Sequence, residues 1–456
     1  MRHITIMMVV STMLASIEAR AAGAENLEVL YPVPYVLIQR DTPMAGTLRI
    51  RGRYPTDVNA GRIEARFCGR AWQVLDPNPK DGVFAGSLRE SPGQGDLEVR
   101  ATAAALTATV ACVGVGDLFV VTGQSNADGR GRKHVALDSK NAYLGVKFRH
   151  NTWSPGGDPS ANDTDDGSPW PRVLNELISE QGVPIGYIQA AVGSTVVRQW
   201  RKGGSMFGRM LQIVKAATDG TMNVKAVLYY QGENDITHHN TLSVLGDFTA
   251  YHENLLAAVA DFHQDLNCPV LVGQITNLLA DRNRNDNVRR AQQRVWTEGP
   301  HARPGAVVYD IFPTDGVHYR DDANMQAFAG RWTHAIRASV YGVAESENPK
   351  LQRAVAVDAT MVVITFDRNL KIETWDGKPG TKAFGFSFQD GEVALIDQDV
   401  VSTAVSGPQV TVTLGRPLPP GARLFYGSGA DGQGKATLRD ATTGLPVQMI
   451  FDAPLR

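Results

Sequence analysis

Five residues spread along this 456-residue chain are of the types that one reaction requires. Ser125 lies in "FVVTGQSNADGRG", Gly193 in "AVGST", Gln231 in "QGEND", and Asp315 and His318 in "DIFPTDGVHY". A serine hydroxyl attacks a carbonyl only when a base removes its proton. His318 can be that base, because an imidazole with an ordinary pKa of ~6.5 is largely neutral at physiological pH. Asp315, three residues earlier, is close enough on a turn to fix the imidazole tautomer. Gly193 has no side chain to obstruct its N–H, and Gln231 carries an amide NH₂. With the Ser125 N–H, both suit a developing oxyanion. The chemistry these residues share is acyl transfer.

Each residue alone has an ordinary explanation. Gly193 suits a turn, Gln231 a strand end, and Asp315-Gly316 is a common turn pair that would leave His318 on the surface. Their coincidence at successive strand ends argues against four separate accidents. Asp235–His238, followed by His239, is a rival D-x-x-H, but choosing it leaves the later "DGVH" without a purpose. Candidate substrate contacts are Asn126, Arg198, Trp200 and His238. Trp200 suits a pyranose face and core packing about equally. Glu233 reads either as a buried acid supporting its loop or as an alternative orienter. Adjacent histidines without H-E-x-x-H spacing make a weak zinc signal, so no metal is expected. There is no G-x-S-x-G elbow, which counts against the common α/β-hydrolase arrangement, and no P-loop or glycine-rich dinucleotide fingerprint, so ATP and NAD enzymes are poor candidates.

The elements that must position these residues fall into three textures. Residues 25–116 read as a β module, with "TLRIRGRY", "GRIEARFCG" and "DLEVRAT" alternating at period two. Residues 117–346 alternate strands with helices. The strands are expected at Leu118–Thr122, Ile185–Ala190, Ala226–Tyr230, Val270–Ile275 and Val307–Tyr309, mostly apolar without alternation, as in a parallel sheet covered on both faces. The helices include "WPRVLNELISEQG", "MFGRMLQIVKAATDG" and "YHENLLAAVADFHQDL". This predicts an α/β, doubly wound domain whose ligand sits beyond the carboxyl ends of the strands. Residues 347–456 return to period two as a second β module.

The blocks GQSN, the glycine of "AVGST", QGE and D-x-x-H resemble the SGNH/GDSL hydrolases. Within these they are similar to sialate O-acetylesterase-like carbohydrate esterases, which carry Gln in the third block where many relatives carry Asn. "YVLIQRDTPMAG" resembles the family's entry segment and "GLPVQMIF" its closing one, so the resemblance spans most of the chain. It implies a flavodoxin-like catalytic domain and an esterase that removes acetyl groups from an acetylated glycan or sugar, without metal or cofactor. By position it implies Ser125 as nucleophile, His318 as base and Asp315 as its orienter. The oxyanion hole would then be the Ser125 and Gly193 amides with the Gln231 side chain. A polysaccharide O-acetyltransferase and a non-catalytic carbohydrate-binding protein are the alternatives. The sequence leaves the sugar and the oligomeric state open.

Composition bounds the rest. A net charge of −2 with 20% charged residues argues against a nucleic-acid partner. No apolar run reaches the ~18 residues of a membrane span. Arg2 and His3 precede the apolar Ile4–Ile17, with small-x-small sites before Glu25, so residues 1–24 read as a signal peptide and the protein as exported. Three cysteines are too few for a disulfide framework. One Cys68–Cys112 bridge with Cys268 left over, or three buried thiols, fit the sequence equally.

Overall fold

The segment "LFVVT" offers no charged side chain to solvent, and all five residues are buried at the centre of the largest sheet of the computed structural model. The structure describes residues 26–237, 240–276, 278, 282–373, 382–391, 393–428 and 436–456, so the expected signal peptide lies outside them. Strand β1 is longer than the expected Leu118–Thr122. It runs from Leu106 to Gly123 and becomes fully buried only in its second half. The boundary placed at residues 116/117 therefore falls inside one continuous strand.

The chain divides into two compact units. One comprises residues 1–32, 49–88 and 97–110, and the other residues 33–48, 89–96 and 111–456. In the first, Ile63–Phe67 pairs antiparallel with Gln73–Asp76 and with the chain around Leu97–Ala101. The Arg100 guanidinium there lies 4.1 Å from the centre of the Trp72 ring and bonds Glu64. The period-two reading of this region describes these strands.

In the second unit β1 is followed by β2 (Gly145–Arg149), β3 (Thr152–Pro155), β4 (Ile185–Gln189), β5 (Ala226–Tyr230), β6 (Val270–Gln274) and β7 (Ala302–Val307). Their order across the sheet is β3-β2-β4-β1-β5-β6-β7. Every neighbouring pair from β2 to β7 is parallel, and β3 turns back antiparallel on β2, which makes the sheet mixed. β2 and β3 were not read from the sequence. Their turn is His150-Asn151, both at positive φ (50° and 58°), the two-residue geometry that twists a hairpin correctly. β7 begins at Ala302, five residues before the expected Val307, because Pro304 is tolerated on an edge strand.

Helices α1 (Ser125–Asp128), α2 (Trp170–Gln181), α3 (Ser205–Ala217), α4 (Phe248–Leu266), α5 (Arg282–Glu298) and α6 (Asp322–Ser339) connect the strands. α4 shows why such segments are helical. Tyr251, Leu255, Ala258, Val259, Phe262 and Leu266 recur on one face and are buried, while Asp247 accepts the Ala250 N–H at 2.7 Å and Asn267 ends the helix in the left-handed region.

The C-terminal strands do not form a separate unit. Val307 and Tyr309 share one core with Ile364, Phe386, Val410, Leu424 and Tyr426, and the Tyr309 hydroxyl donates to the Val447 carbonyl at 2.7 Å. The second expected boundary is therefore a change of texture within one compact body. Cys112 is a half-buried thiol and Cys268 a buried one. Among the described residues, no helix is long and apolar enough to cross a membrane.

A buried ion pair ties the segment around Arg40 to β1. Asp117, with no side-chain exposure, accepts from Arg40 Nε at 2.8 Å and Nη2 at 2.6 Å and from the Tyr341 hydroxyl at 2.9 Å. Removing the carboxylate strands a largely buried guanidinium. Asp117→Ala is expected to cost about 3–5 kcal/mol in denaturant unfolding of the full chain. A loss under about 1 kcal/mol would mean that solvent already screens the pair.

Candidate active site

The reversal of strand order places the site. The chain leaves β1 for β2 and β4 on one side and returns to β5, β6 and β7 on the other, so a crevice opens beyond the carboxyl end of β1. Gly123 ends β1 at φ +117°, and a Cβ there would stand 2.0 Å from the Tyr230 carbonyl oxygen. Only glycine lets the backbone turn this close to β5, and the turn delivers Ser125 to the first position of α1.

Ser125 Oγ lies 3.0 Å from His318 Nε2. His318 Nδ1 lies 3.1 Å from Asp315 Oδ2, while Asp315 Oδ1 accepts the backbone N–H groups of Val317 and His318 at 2.9 and 2.6 Å. Arg320 Nε donates to Asp315 Oδ2 at 2.6 Å, a contact the sequence did not suggest. Burial alone would raise the Asp315 pKa, but the His318 and Val317 N–H groups and Arg320 hold it well below the usual carboxylate range. The His318 pKa falls below its ordinary 6.5. Burial is the largest cause, Arg320 and Arg130 add to it, and Asp315 opposes it. An imidazole that is neutral, hydrogen-bonded to a hydroxyl and backed by a charged carboxylate can accept the hydroxyl proton.

Gly193 stands beside Ser125. A Cβ on it would lie 3.8 Å from Ser125 Cβ and only 2.7 Å from both Arg130 Nη2 and Asp163 Oδ2, so a larger residue would have to displace the ends of those two side chains. Arg130 is nearly buried and bridges Asp128 (2.8 Å) and Asp163 (2.9 Å). Burial and the neighbouring Asp163 push the Asp128 pKa up to about 7, against the pull of Arg130. Asp163 is held low despite its own burial, by Asp128, Arg130 and the Gly193 N–H. This cluster was not foreseen, although "GQSNADGRG" does place an acid and a base just past the serine.

Three expected roles are corrected. Gln231 is fully buried, and its Nε2 donates to Gln124 Oε1 (3.2 Å), Thr195 O (3.1 Å) and Asp235 Oδ2 (2.8 Å), while its Oε1 accepts from Tyr229. Both amide hydrogens are spent inside the protein, so it does not face an oxyanion. The side chain of this block that reaches the rim is Asn234, half-buried, whose Nδ2 donates to the Ser194 carbonyl at 2.7 Å. The sequence signal was two amides three residues apart in "QGEND", of which the strand end encloses the first. Trp200 is fully buried, edge-on to Tyr229, with its N–H on Thr195 Oγ1, and is a core residue. Asn126 is 2% exposed with its amide engaged, so it does not meet substrate.

Arg198 is exposed and remains available to a ligand. His238 and His239 lie outside the described residues. Their expected partner Asp235 is buried and committed to the N–H groups of Val197 (2.7 Å) and Val244 (3.1 Å) and to Gln231. Among the described residues, no group of three His, Cys, Asp or Glu side chains is placed to hold a metal ion.

Comparison with known proteins agrees with this architecture. Residues 115–326 match the family model described as carbohydrate esterase, sialic acid-specific acetylesterase. A solved structure of a carbohydrate acetylesterase from Xanthomonas citri shares the fold with a TM-score of 0.60 at 19% identity, covering 92% of this chain and 98% of that one. A probable carbohydrate esterase of Arabidopsis thaliana is 24% identical over 200 residues, covering 38% of this chain and 74% of that protein. The likeness to that acetylesterase structure, which extends over most of the chain, is one of fold. Residues 115–326 are thus the part of the chain that is similar to that esterase family.

The enclosure of Gln231 has a measurable consequence. Gln231→Ala is expected to lower stability by about 1–3 kcal/mol, because it leaves the buried Tyr229 hydroxyl without its acceptor and takes one donor each from Thr195 O, Gln124 and Asp235. The kcat of the folded fraction should change less than tenfold. A loss of about 10²–10³ in kcat at unchanged melting temperature would instead place this amide on the oxyanion.

Proposed function

We propose that the protein hydrolyses O-acetyl esters of a sugar or polysaccharide through a Ser125–His318–Asp315 triad and an acetyl-enzyme intermediate. The observation that carries the reading is the continuous relay from Ser125 Oγ to His318 Nε2 (3.0 Å) and from His318 Nδ1 to Asp315 (3.1 Å) at the switch point of the sheet. The strand order β4-β1-β5-β6-β7 supports the flavodoxin-like arrangement expected of such a domain.

In the first half-reaction His318 takes the Ser125 proton as Oγ bonds to the acetyl carbon. The oxyanion is held by the Ser125 and Gly193 N–H groups, with Asn234 replacing Gln231 as the side-chain donor. The acetyl oxygen takes the place of the half-exposed Asp163 carboxylate at the Gly193 N–H. The tetrahedral centre collapses as His318 passes its proton to the departing sugar oxygen. Water, deprotonated by the same imidazole, then attacks the acetyl-serine and releases acetate. The charged Asp315 stabilises the imidazolium that forms in both halves. Export directed by residues 1–24 would bring the enzyme to acetylated glycans outside the cytoplasm.

Ser125→Ala should lose about three or more orders of magnitude in kcat on an acetyl ester while keeping its melting temperature. Near-normal turnover by the folded variant would remove Ser125 as nucleophile. The lowered His318 pKa sets the sign of the pH dependence. The imidazole stays neutral further into acid, so the limb of kcat/KM that His318 sets should have its midpoint below the ordinary 6.5. A midpoint above about 7 would contradict this environment. Acetate release from acetylated sialic acids, xylans, pectins and microbial exopolysaccharides identifies the sugar.

A further inference from the structure

We propose that Glu233 is a positioning residue of this site: through Asn126 it holds the loop carrying His318 in register with Ser125. The inference rests on the esterase reading and adds a part to it.

Asn126 follows the nucleophile directly and has two N–H donors and one acceptor to spend. One N–H goes to Glu233 Oε1 at 2.7 Å, and the same nitrogen donates to the Val317 carbonyl at 3.0 Å. Its Oδ1 accepts the Tyr319 N–H at 3.4 Å. Val317 and Tyr319 flank His318, so the two backbone contacts straddle the base. They are the longer of the three contacts, and the shortest, to Glu233, fixes which way the amide faces.

An acid at this position is costly unless it does something an apolar residue cannot. Glu233 is 2% exposed, and its Oε2 has no hydrogen-bond partner among the described residues. Burying a carboxyl with one oxygen unpartnered is unfavourable. What it supplies in return is a charge-assisted bond to Asn126, about twice as strong as a neutral one.

The titratable groups around Glu233 are the phenols of Tyr229, Tyr230, Tyr251 and Tyr319 and the Asp235 carboxyl. Burial pushes its pKa up to about 7, against the bonds from Asn126 and its own N–H. The acid therefore changes charge near neutrality, and the ionised form, favoured above that pH, grips Asn126 more firmly. This adds a second acid-side dependence to the one set by His318, at higher pH.

The test compares full-length wild type, Glu233→Gln and Glu233→Ala. Glutamine can present a carbonyl oxygen to Asn126 without ionising. Its kcat at pH 7 should stay within about fivefold of wild type, while the dependence near pH 7 disappears and only the His318 limb remains. Alanine frees the amide and should lower kcat by about 10- to 100-fold with KM changed less than twofold. A second measurement needs no substrate. In ¹⁵N–¹H spectra of the wild type, the Asn126 side-chain amide and the Tyr319 backbone amide should shift together with pH about a midpoint near 7. In Glu233→Gln that shared transition should be absent. The proposal is overturned if Glu233→Ala keeps kcat within threefold of wild type, or if the shared transition persists in Glu233→Gln. Should Glu233→Ala fail to fold, the glutamine variant's spectra and pH profile decide the matter. Failure of the esterase reading would appear separately, as turnover surviving Ser125→Ala.

Discussion

One carbonyl oxygen holds the rim of the candidate site together. Gln124 Oε1, directly before Ser125, accepts from Gln231 Nε2, Gly232 N and Asn234 N, each at 3.2 Å. Gln124 is 3% exposed, and its own N–H donates to the Tyr230 carbonyl at 2.9 Å. A single side chain thereby locks the end of β1 to the whole turn after β5. In a buried setting such a network is worth having only when each member is satisfied, because an orphaned donor or acceptor costs more than a bond gains. Gln231, Asp235, Tyr229 and Tyr251 complete it, and this explains why Gln231 serves the floor of the site rather than its surface.

Above that floor, charge is arranged asymmetrically about the imidazole. Asp315 alone would favour a protonated His318. Burial, Arg320 and Arg130 tip the balance the other way, so the base is neutral while its partner stays charged. On the other side of Ser125, Arg130 and Asp163 of the Asp128–Arg130–Asp163 cluster close in on Gly193. The two sides of Ser125 thus differ: on one an imidazole is tuned by its neighbours, and on the other two side chains close in on the backbone at Gly193.

The scaffold explains why strand ends several tens of residues apart meet at all. β1 lies at the centre of the sheet, and Asp117 near the start of its buried half anchors Arg40, Lys225 and Tyr341. On the far edge, β7 would expose unpaired backbone, and the C-terminal strands contribute the core that covers the chain leaving it. Asp310, just past β7, takes ion pairs from Arg331 and Arg439 at 2.8 and 2.9 Å. The loop to His318 therefore starts from a fixed point.

Local chemistry determined much of this protein within the sequence alone. The α/β texture, the three helices with clear periodicity and most of the central strands follow from side-chain pattern. Ser125, Asp315 and His318 were legible because each sits in a short segment whose residue types have one shared chemical use. Asp315 and His318 are also close enough in sequence for a turn to join them. What the sequence could not decide was which way a polar side chain points. Gln231 and Asn234 are both amides in one five-residue block, and only the packing of Tyr229, Tyr251 and Gln124 around the first turns it inward. Trp200 looked fit for a sugar and is enclosed by Thr195 and Tyr229. Asn126 and Glu233 lie 107 residues apart, and their 2.7 Å contact exists only once β1 and β5 are neighbours. Residue type limits the chemistry available, but burial and hydrogen-bond partners, which arise from contacts distant in sequence, assign each group its use.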